Sequence, residues 1–137
     1  MIRDYEDGDA SELCIANQIC YHRSESDVEL LKVVESEKTW VAIDDDLLVG
    51  FIIGKIKHGI PYIYNVAVLP GARKEGFGKK LIEKFEEFFC ASHVFWLKVD
   101  ADNPAQKLYF DLGYRVESID EHFYGRDKHA LCMFKYS

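Results

Sequence analysis

Apolar residues recur along this chain in two rhythms, and each change of rhythm marks an element. MIRDY (residues 1–5) alternates and reads as a short strand. Ala10, Leu13, Cys14, Asn17 and Tyr21 then fall on one face of a helix, with Asp7 or Asp9 as its N-cap. Ser26 reads as the cap of a second helix carrying Leu30, Leu31, Val33 and Val34. Glu29 stands three residues after that cap, the capping-box position.

The rhythm then becomes that of strands. TWVAI is one, and Asp44, Asp45 and Asp46 form a polar hairpin tip after it. LLVGFIIGKIK is the next, with His58 and Gly59 as its turn. PYIYNVAVL is almost wholly apolar, as expected of a strand covered on both faces. After RKEGFG, the helical period returns in KKLIEKFEEFF, with Phe77, Leu81, Ile82, Phe85, Phe88 and Phe89 on one stripe. HVFWLKV is a strand. Asn103 and Pro104 start a further helix as N-cap and N1 proline, with Ala105, Leu108, Tyr109 and Leu112 inward and Gly113 closing it. YRVESI and ALCMFKY are two last strands separated by a polar loop. The expected order is β-α-α-β-β-β-α-β-α-β-β, an α/β fold with a mixed sheet flanked by helices, in one domain over residues 1–137.

Composition narrows the classes. A chain of 137 residues, 48% hydrophobic and 30% charged, suits a folded, soluble domain. The net charge of −7 argues against nucleic acid as a partner and favours attraction of cationic amines. No apolar run reaches the roughly 18 residues of a membrane-spanning helix. Cys14, Cys20, Cys90 and Cys132 form no CxxC pair, and they read as reduced, buried thiols of a cytoplasmic protein without a structural metal.

The stretch Arg73 to Gly78 carries the chemistry. A strand, a glycine-rich turn and a helix leave backbone N–H groups free at the positive end of a helix dipole. Gly76 and Gly78 present no Cβ, and Arg73, Lys74 and Lys79 bring positive charge. That is the construction of a pyrophosphate cradle, although the local pattern serves equally for a tight turn. Neither the GxGxxG dinucleotide fingerprint nor a P-loop fits.

The pattern Arg-x-x-Gly-x-Gly after VAVLP, followed by DNPAQKLYFDLGY, resembles the GNAT superfamily of acyl-CoA-dependent N-acetyltransferases. The resemblance covers nearly the whole chain, element order included. It implies acetyl-CoA as cosubstrate. Lys74, Glu75, Gly76, Phe77, Gly78 and Lys79 would donate backbone N–H groups to its pyrophosphate, with Arg73 opening the loop. The backbone of Val66, Ala67 and Val68 would pair with the pantetheine arm, one N–H polarising the thioester carbonyl. Tyr109 stands where the family places a general acid for the leaving thiolate, and a phenol of pKa about 10 suits a thiolate of about 8.5. Asn103, or Asp102 beside it, would contact the pantetheine.

The resemblance is incomplete at the general base. Relatives carry a Glu before the cradle, or one in an LEV segment of the next strand. Here that segment is LKV, with Lys98. A water chain, Asp100, His22 or His122 is then left to serve. The ending EHFYGRDKHALCMF bears a partial likeness to ribosomal-protein-alanine N-acetyltransferases at Tyr124, Asp127, Ala130 and Met133. The implied partners are acetyl-CoA and a primary amine of a small molecule or a protein N-terminus, with the enzyme a monomer or homodimer. The absent carboxylate also admits a non-catalytic acetyl-CoA-binding sensor, and the cradle alone another phosphate binder.

Overall fold

The computed structural model describes residues 1–21 and 26–137. In chain order the elements are β1 (Ile2–Asp4), α1 (Ala10–Cys20), α2 (Asp27–Ser36), β2 (Lys38–Asp44), β3 (Leu47–Lys57), β4 (Ile60–Val68), α3 (Phe77–Phe88), β5 (Val94–Asp100), α4 (Gln106–Asp111), β6 (Arg115–Gly125) and β7 (Lys128–Tyr136). The described strands form one seven-stranded sheet in the order β1-β2-β3-β4-β5-β7-β6. Every neighbouring pair is antiparallel except β4 and β5. The element order and the mixed sheet match the expectation from the hydrophobic pattern.

Each face of the sheet has its own helices. On one, Phe77, Leu81, Ile82 and Phe85 of α3 pack with Trp40, Ile52, Ile63, Leu97 and Tyr109. On the other, Leu13 and Ala16 of α1 and Leu30 and Val34 of α2 pack with Val41, Phe51, Ile53 and Ala67. The Ser26 hydroxyl accepts the Glu29 N–H, so the cap of α2 forms as read from sequence. Tight left-handed turns at Asp45–Asp46 and His58–Gly59 close the β2–β3 and β3–β4 hairpins.

Several local expectations are corrected. Asp9 does not cap α1. Its carboxylate takes two hydrogen bonds from Arg3, at 2.8 and 2.9 Å, and one from the Glu6 N–H at 2.8 Å, closing the 3-10 turn before the helix. Phe88 lies on the edge of the α3 stripe and stays exposed, touching Trp40 edge-on. Cys90 is exposed rather than buried, because it follows the last turn of α3, whereas Cys14 and Cys132 are buried as expected. The expected polar loop after YRVESI is strand. β6 runs on to Gly125 and turns at Arg126–Asp127 into β7, since an irregular pairing between Asp120 and Gly125 hides the alternation.

Candidate active site

The site begins where two parallel strands part. β4 and β5 pair only at Tyr62–Trp96 and Ile63–Leu97. The next residue of β4, Tyr64, is extra in the pairing with β3, whose register shifts between Ile53 and Gly54. Such a bulge bends its strand, and from here β4 and β5 diverge. The gap is a cleft of about 580 Å³ lined by residues of α1, β3, β4, β5, the turn before α4 and the β6–β7 hairpin.

The backbone of β4 along this gap has a defined polarity. The Leu69 N–H donates to the Val49 carbonyl at 2.8 Å. Antiparallel pairing alternates, so Ala67 and Asn65 also turn their amides to β3. Val66 and Val68 turn theirs into the gap. Ala67, expected to act with its neighbours, therefore spends its backbone on the sheet. The outward carbonyls are held: Tyr21 donates its hydroxyl to that of Val66, and the Arg73 Nε donates to that of Val68 at 2.9 Å. The outward N–H groups of Val66, which lines the cleft, and of Val68, at the end of the strand, have no acceptor among the described residues.

The cradle lies at the end of β4. Lys74 (φ 71°) and Gly76 (φ 84°) are both left-handed, which rolls the loop so that successive amides face outward. Gly76 is the N-cap of α3, and no side chain caps it. The first helical bond is from the Lys80 N–H to the Gly76 carbonyl, leaving the amides of Phe77, Gly78 and Lys79 to an external acceptor. A Cβ on Gly76 would meet nothing within 4 Å, so the approach is open. Gly78 has a different reason. A Cβ there would lie 3.0 Å from the Leu108 side chain, so its bareness lets α3 pack against α4. The Arg73 guanidinium ties the cradle to the end of β4 and reaches the Cys20 sulfur at 3.8 Å.

Across the gap, α4 starts later than its sequence suggests, at Gln106. Asn103 still caps the preceding turn, its Oδ1 accepting the Ala105 N–H at 2.9 Å. Asp102 and Asn103 both line the cleft. The far end of α4 has two bonds of a Schellman cap: the Gly113 N–H to the Phe110 carbonyl, and the Tyr114 N–H to the Tyr109 carbonyl, both at 3.0 Å. This fixes Tyr109 from below, while Tyr114, bonded to Glu86 at 2.8 Å, packs edge-on against its ring. Tyr109 is buried, yet its hydroxyl borders the cleft and has no hydrogen-bond partner among the described residues. Burial, then the nearby Tyr21 and Tyr124 phenols, push its pKa well above the usual tyrosine value. It is a neutral phenol at physiological pH.

The candidate bases separate. Lys98 points into the cleft, but its ammonium is paired with Asp120 at 2.9 Å and sits 4.2 Å over the Phe123 ring. Asp120 was not singled out from sequence; it comes from β6, 22 residues away, and only strand pairing reveals it. Asp100, on the same face of β5 as Lys98, lines the cleft and accepts the Asp102 N–H at 2.9 Å through one oxygen. His122 forms a cluster with Asp127 and His129 whose ligand atoms lie within 4.8 Å of one another. The Nδ1 atoms of both histidines accept backbone N–H groups, at 3.2 and 3.0 Å. Those bonds occupy both Nδ1 lone pairs, so neither Nδ1 is free to act as a base in this arrangement. His22 lies outside the described residues.

A family model described as an acetyltransferase (GNAT) domain matches residues 35–116, from the end of α2 to the start of β6. That span holds the diverging strands, the cradle and Tyr109. The chain belongs to the GNAT acetyltransferase family. It is accordingly an N-acetyltransferase of the GNAT type, and the family's acyl donor is acetyl-CoA. The [ribosomal protein bS18]-alanine N-acetyltransferase of Haemophilus influenzae is 30% identical over 100 residues, covering 69% of this chain and 68% of that protein. The fold is that of the ribosomal-protein-S18-alanine N-acetyltransferase of Escherichia coli, at a TM-score of 0.86 and 22% identity, over 99% of this chain and 92% of that one. A putative streptothricin acetyltransferase of Bacillus anthracis, crystallised with acetyl coenzyme A, superposes with a TM-score of 0.82 at 17% identity, over 100% and 98%. No helix among the described residues is long and apolar enough to cross a membrane.

Proposed function

We propose that the protein transfers the acetyl group of acetyl-CoA to a primary amine by direct attack in the cleft, with Tyr109 as general acid. The cradle at Lys74–Lys79 holds the pyrophosphate, and the outward amides of Val66 and Val68 hold the pantetheine arm. Their N–H groups also stabilise the charge that develops on the thioester oxygen, an effect worth roughly 3 kcal/mol. Asp100 takes a proton from the incoming ammonium. As the new N–C bond forms and the C–S bond breaks, the Tyr109 proton passes to the departing sulfur. The observation that carries this reading is Tyr109, fixed by a Schellman cap on the border of the cleft, with its hydroxyl left without a hydrogen-bond partner among the described residues.

The acceptor belongs to one of two groups, a protein N-terminus or a small-molecule amine. The likeness to the Haemophilus influenzae enzyme, whose name specifies the alanine of a ribosomal protein, supports the first. The test is a thiol-release assay with acetyl-CoA against a panel of amines and short peptides. Turnover with at least one acceptor is expected. Acetyl-CoA binding without any turnover would favour a sensor module, a reading supported by Lys98 standing where relatives carry a carboxylate.

A further inference from the structure

The cradle and the acceptor wall lie on opposite faces of the sheet. Along β5, Phe95, Leu97 and Val99 pack towards α3, so Trp96, Lys98 and Asp100 face the other way. On β3, a Cβ at Gly54 would strike the Phe85 ring of α3, so Lys55 and Lys57 face away from α3 too. Lys55, Lys57 and Lys98 thus line the cleft on the face of the sheet away from α3, and Lys128 of β7 lines it too. Lys57 sits 4.8 Å over the Tyr62 ring and 5.7 Å over Trp96, and Lys55 sits 5.8 Å over Tyr64. Neither makes an ion pair among the described residues. Among the described residues Asp120 is the one carboxylate paired with this group, and it pairs with Lys98. The Trp96 indole N–H, beneath Lys57, is buried without a hydrogen-bond acceptor among them. The patch is cationic although the chain carries a net charge of −7.

We propose, on the basis of the acetyltransferase reading, that the acceptor is a primary amine whose molecule also carries a carboxylate, bound by Lys55, Lys57 and Lys98. Burying like charges together is costly until an anion joins them. Lys57 shows this cost: its pKa is lowered first by burial and then by Lys98 and Lys55, with Asp120 opposing. A carboxylate placed there relieves the repulsion. Polyamines and aminoglycosides carry the wrong sign.

Matched amidated tripeptides, Ala-Glu-Glu, Ala-Gln-Gln and Ala-Lys-Lys, test this by acetyl-CoA-dependent thiol release. The expected kcat/KM order is acidic, neutral, basic, with roughly tenfold or more between the ends at low salt and less at high salt. Free glutamate in a parallel arm distinguishes a small amino acid from a chain N-terminus as the source of the amine. The double variant Lys55→Glu with Lys57→Glu, checked for folding by thermal melting, should reverse the order. An equal or opposite order in the parent, or an unchanged order in the variant, overturns the proposal while leaving acetyl transfer intact. If no acceptor turns over, calorimetric titration of the acidic tripeptide onto the CoA-bound protein decides separately. Absent binding, or equal binding to the variant, overturns the proposal, whereas failure of acetyl-CoA itself to bind overturns the acetyltransferase reading.

Discussion

The cradle and the wall of the cleft are built from different materials. The cradle is backbone: amides of Lys74 to Lys79, exposed because Lys74 and Gly76 take left-handed conformations and nothing caps α3. The acceptor wall is side chain: Lys55, Lys57, Trp96, Lys98 and Asp120, gathered from β3, β5 and β6. A backbone site tolerates most side-chain changes and fails when a side chain enters its volume. A side-chain site can be rewritten by changing the sign of its charges. Such a division lets a backbone site for the donor persist while a side-chain site for the acceptor varies.

The sharpest way to break this contrast is Gly76→Glu. A side chain would enter open space at φ 84° with the charge of the phosphate it displaces. We expect acetyl-CoA affinity to fall on the order of 10³-fold by calorimetry, from like charge and lost amide bonds of about 1–3 kcal/mol each. Unchanged affinity in a folded variant would remove the cradle from the argument.

Tyr109→Phe comes next. The ring still fills its place on α4 against Tyr114, so folding should persist. Loss of the acid should lower kcat by about 10²-fold with acetyl-CoA affinity nearly unchanged. The defect should shrink with an acyl donor whose leaving thiol is more acidic. An equal defect with both donors would make Tyr109 a packing residue.

Asp100→Asn should lower kcat/KM by roughly tenfold or more with acetyl-CoA affinity nearly unchanged, if this carboxylate is the base. A variant retaining the parental kcat/KM would return the role to a water chain. Gly78→Ala keeps its amide but brings a Cβ to 3.0 Å from Leu108. Since α4 must give by a few tenths of an ångström, kcat should fall by about two- to fivefold, while acetyl-CoA affinity stays within about threefold. A larger loss of affinity than of kcat would mean that the bareness of Gly78 serves the phosphate rather than the packing of α4.

The last prediction lies outside both sites and calibrates them. The Arg3 guanidinium, then the Glu6 N–H, hold the Asp9 carboxyl below its usual pKa against the effect of burial. A depressed carboxylate adds stability that is present above its unfolded value of about 3.9 and is lost as pH falls through the lower folded value. Asp9→Asn should therefore cost about 1–2 kcal/mol at pH 7 in denaturant unfolding, and parent and variant should converge as pH drops below about 4. Activity per folded molecule should not change. A constant gap down to strongly acid pH would mean that the loss comes from packing.

The elements were legible because their signals are local. An amphipathic stripe, the Ser26 cap and the hairpin turns each occupy a few consecutive residues, and the structure has them all. The signals failed where pairing is irregular. β6 beyond Asp120 does not alternate, so it resembled a polar loop. Asp9 looked like a helix cap until Arg3, on the adjoining strand, claimed its carboxylate. Among the site residues, the role of Gly76 was readable, but that of Gly78 required its neighbour in α4, which lies 30 positions along the chain.

By itself the sequence determined a strand, a glycine turn and a helix in the order that exposes amides to an anion, because the conformational freedom of glycine and the free N–H groups of a helix start are properties of adjacent residues. Tertiary structure alone decided which amides of β4 face the cleft, since that depends on the pairing of Leu69 with Val49. It also decided the sign of the acceptor wall. Net charge sums over the whole chain and pointed to cationic partners, whereas a ligand meets the local field of Lys55, Lys57 and Lys98. Those three share a surface because two strands, joined through β4, turn the same face away from α3.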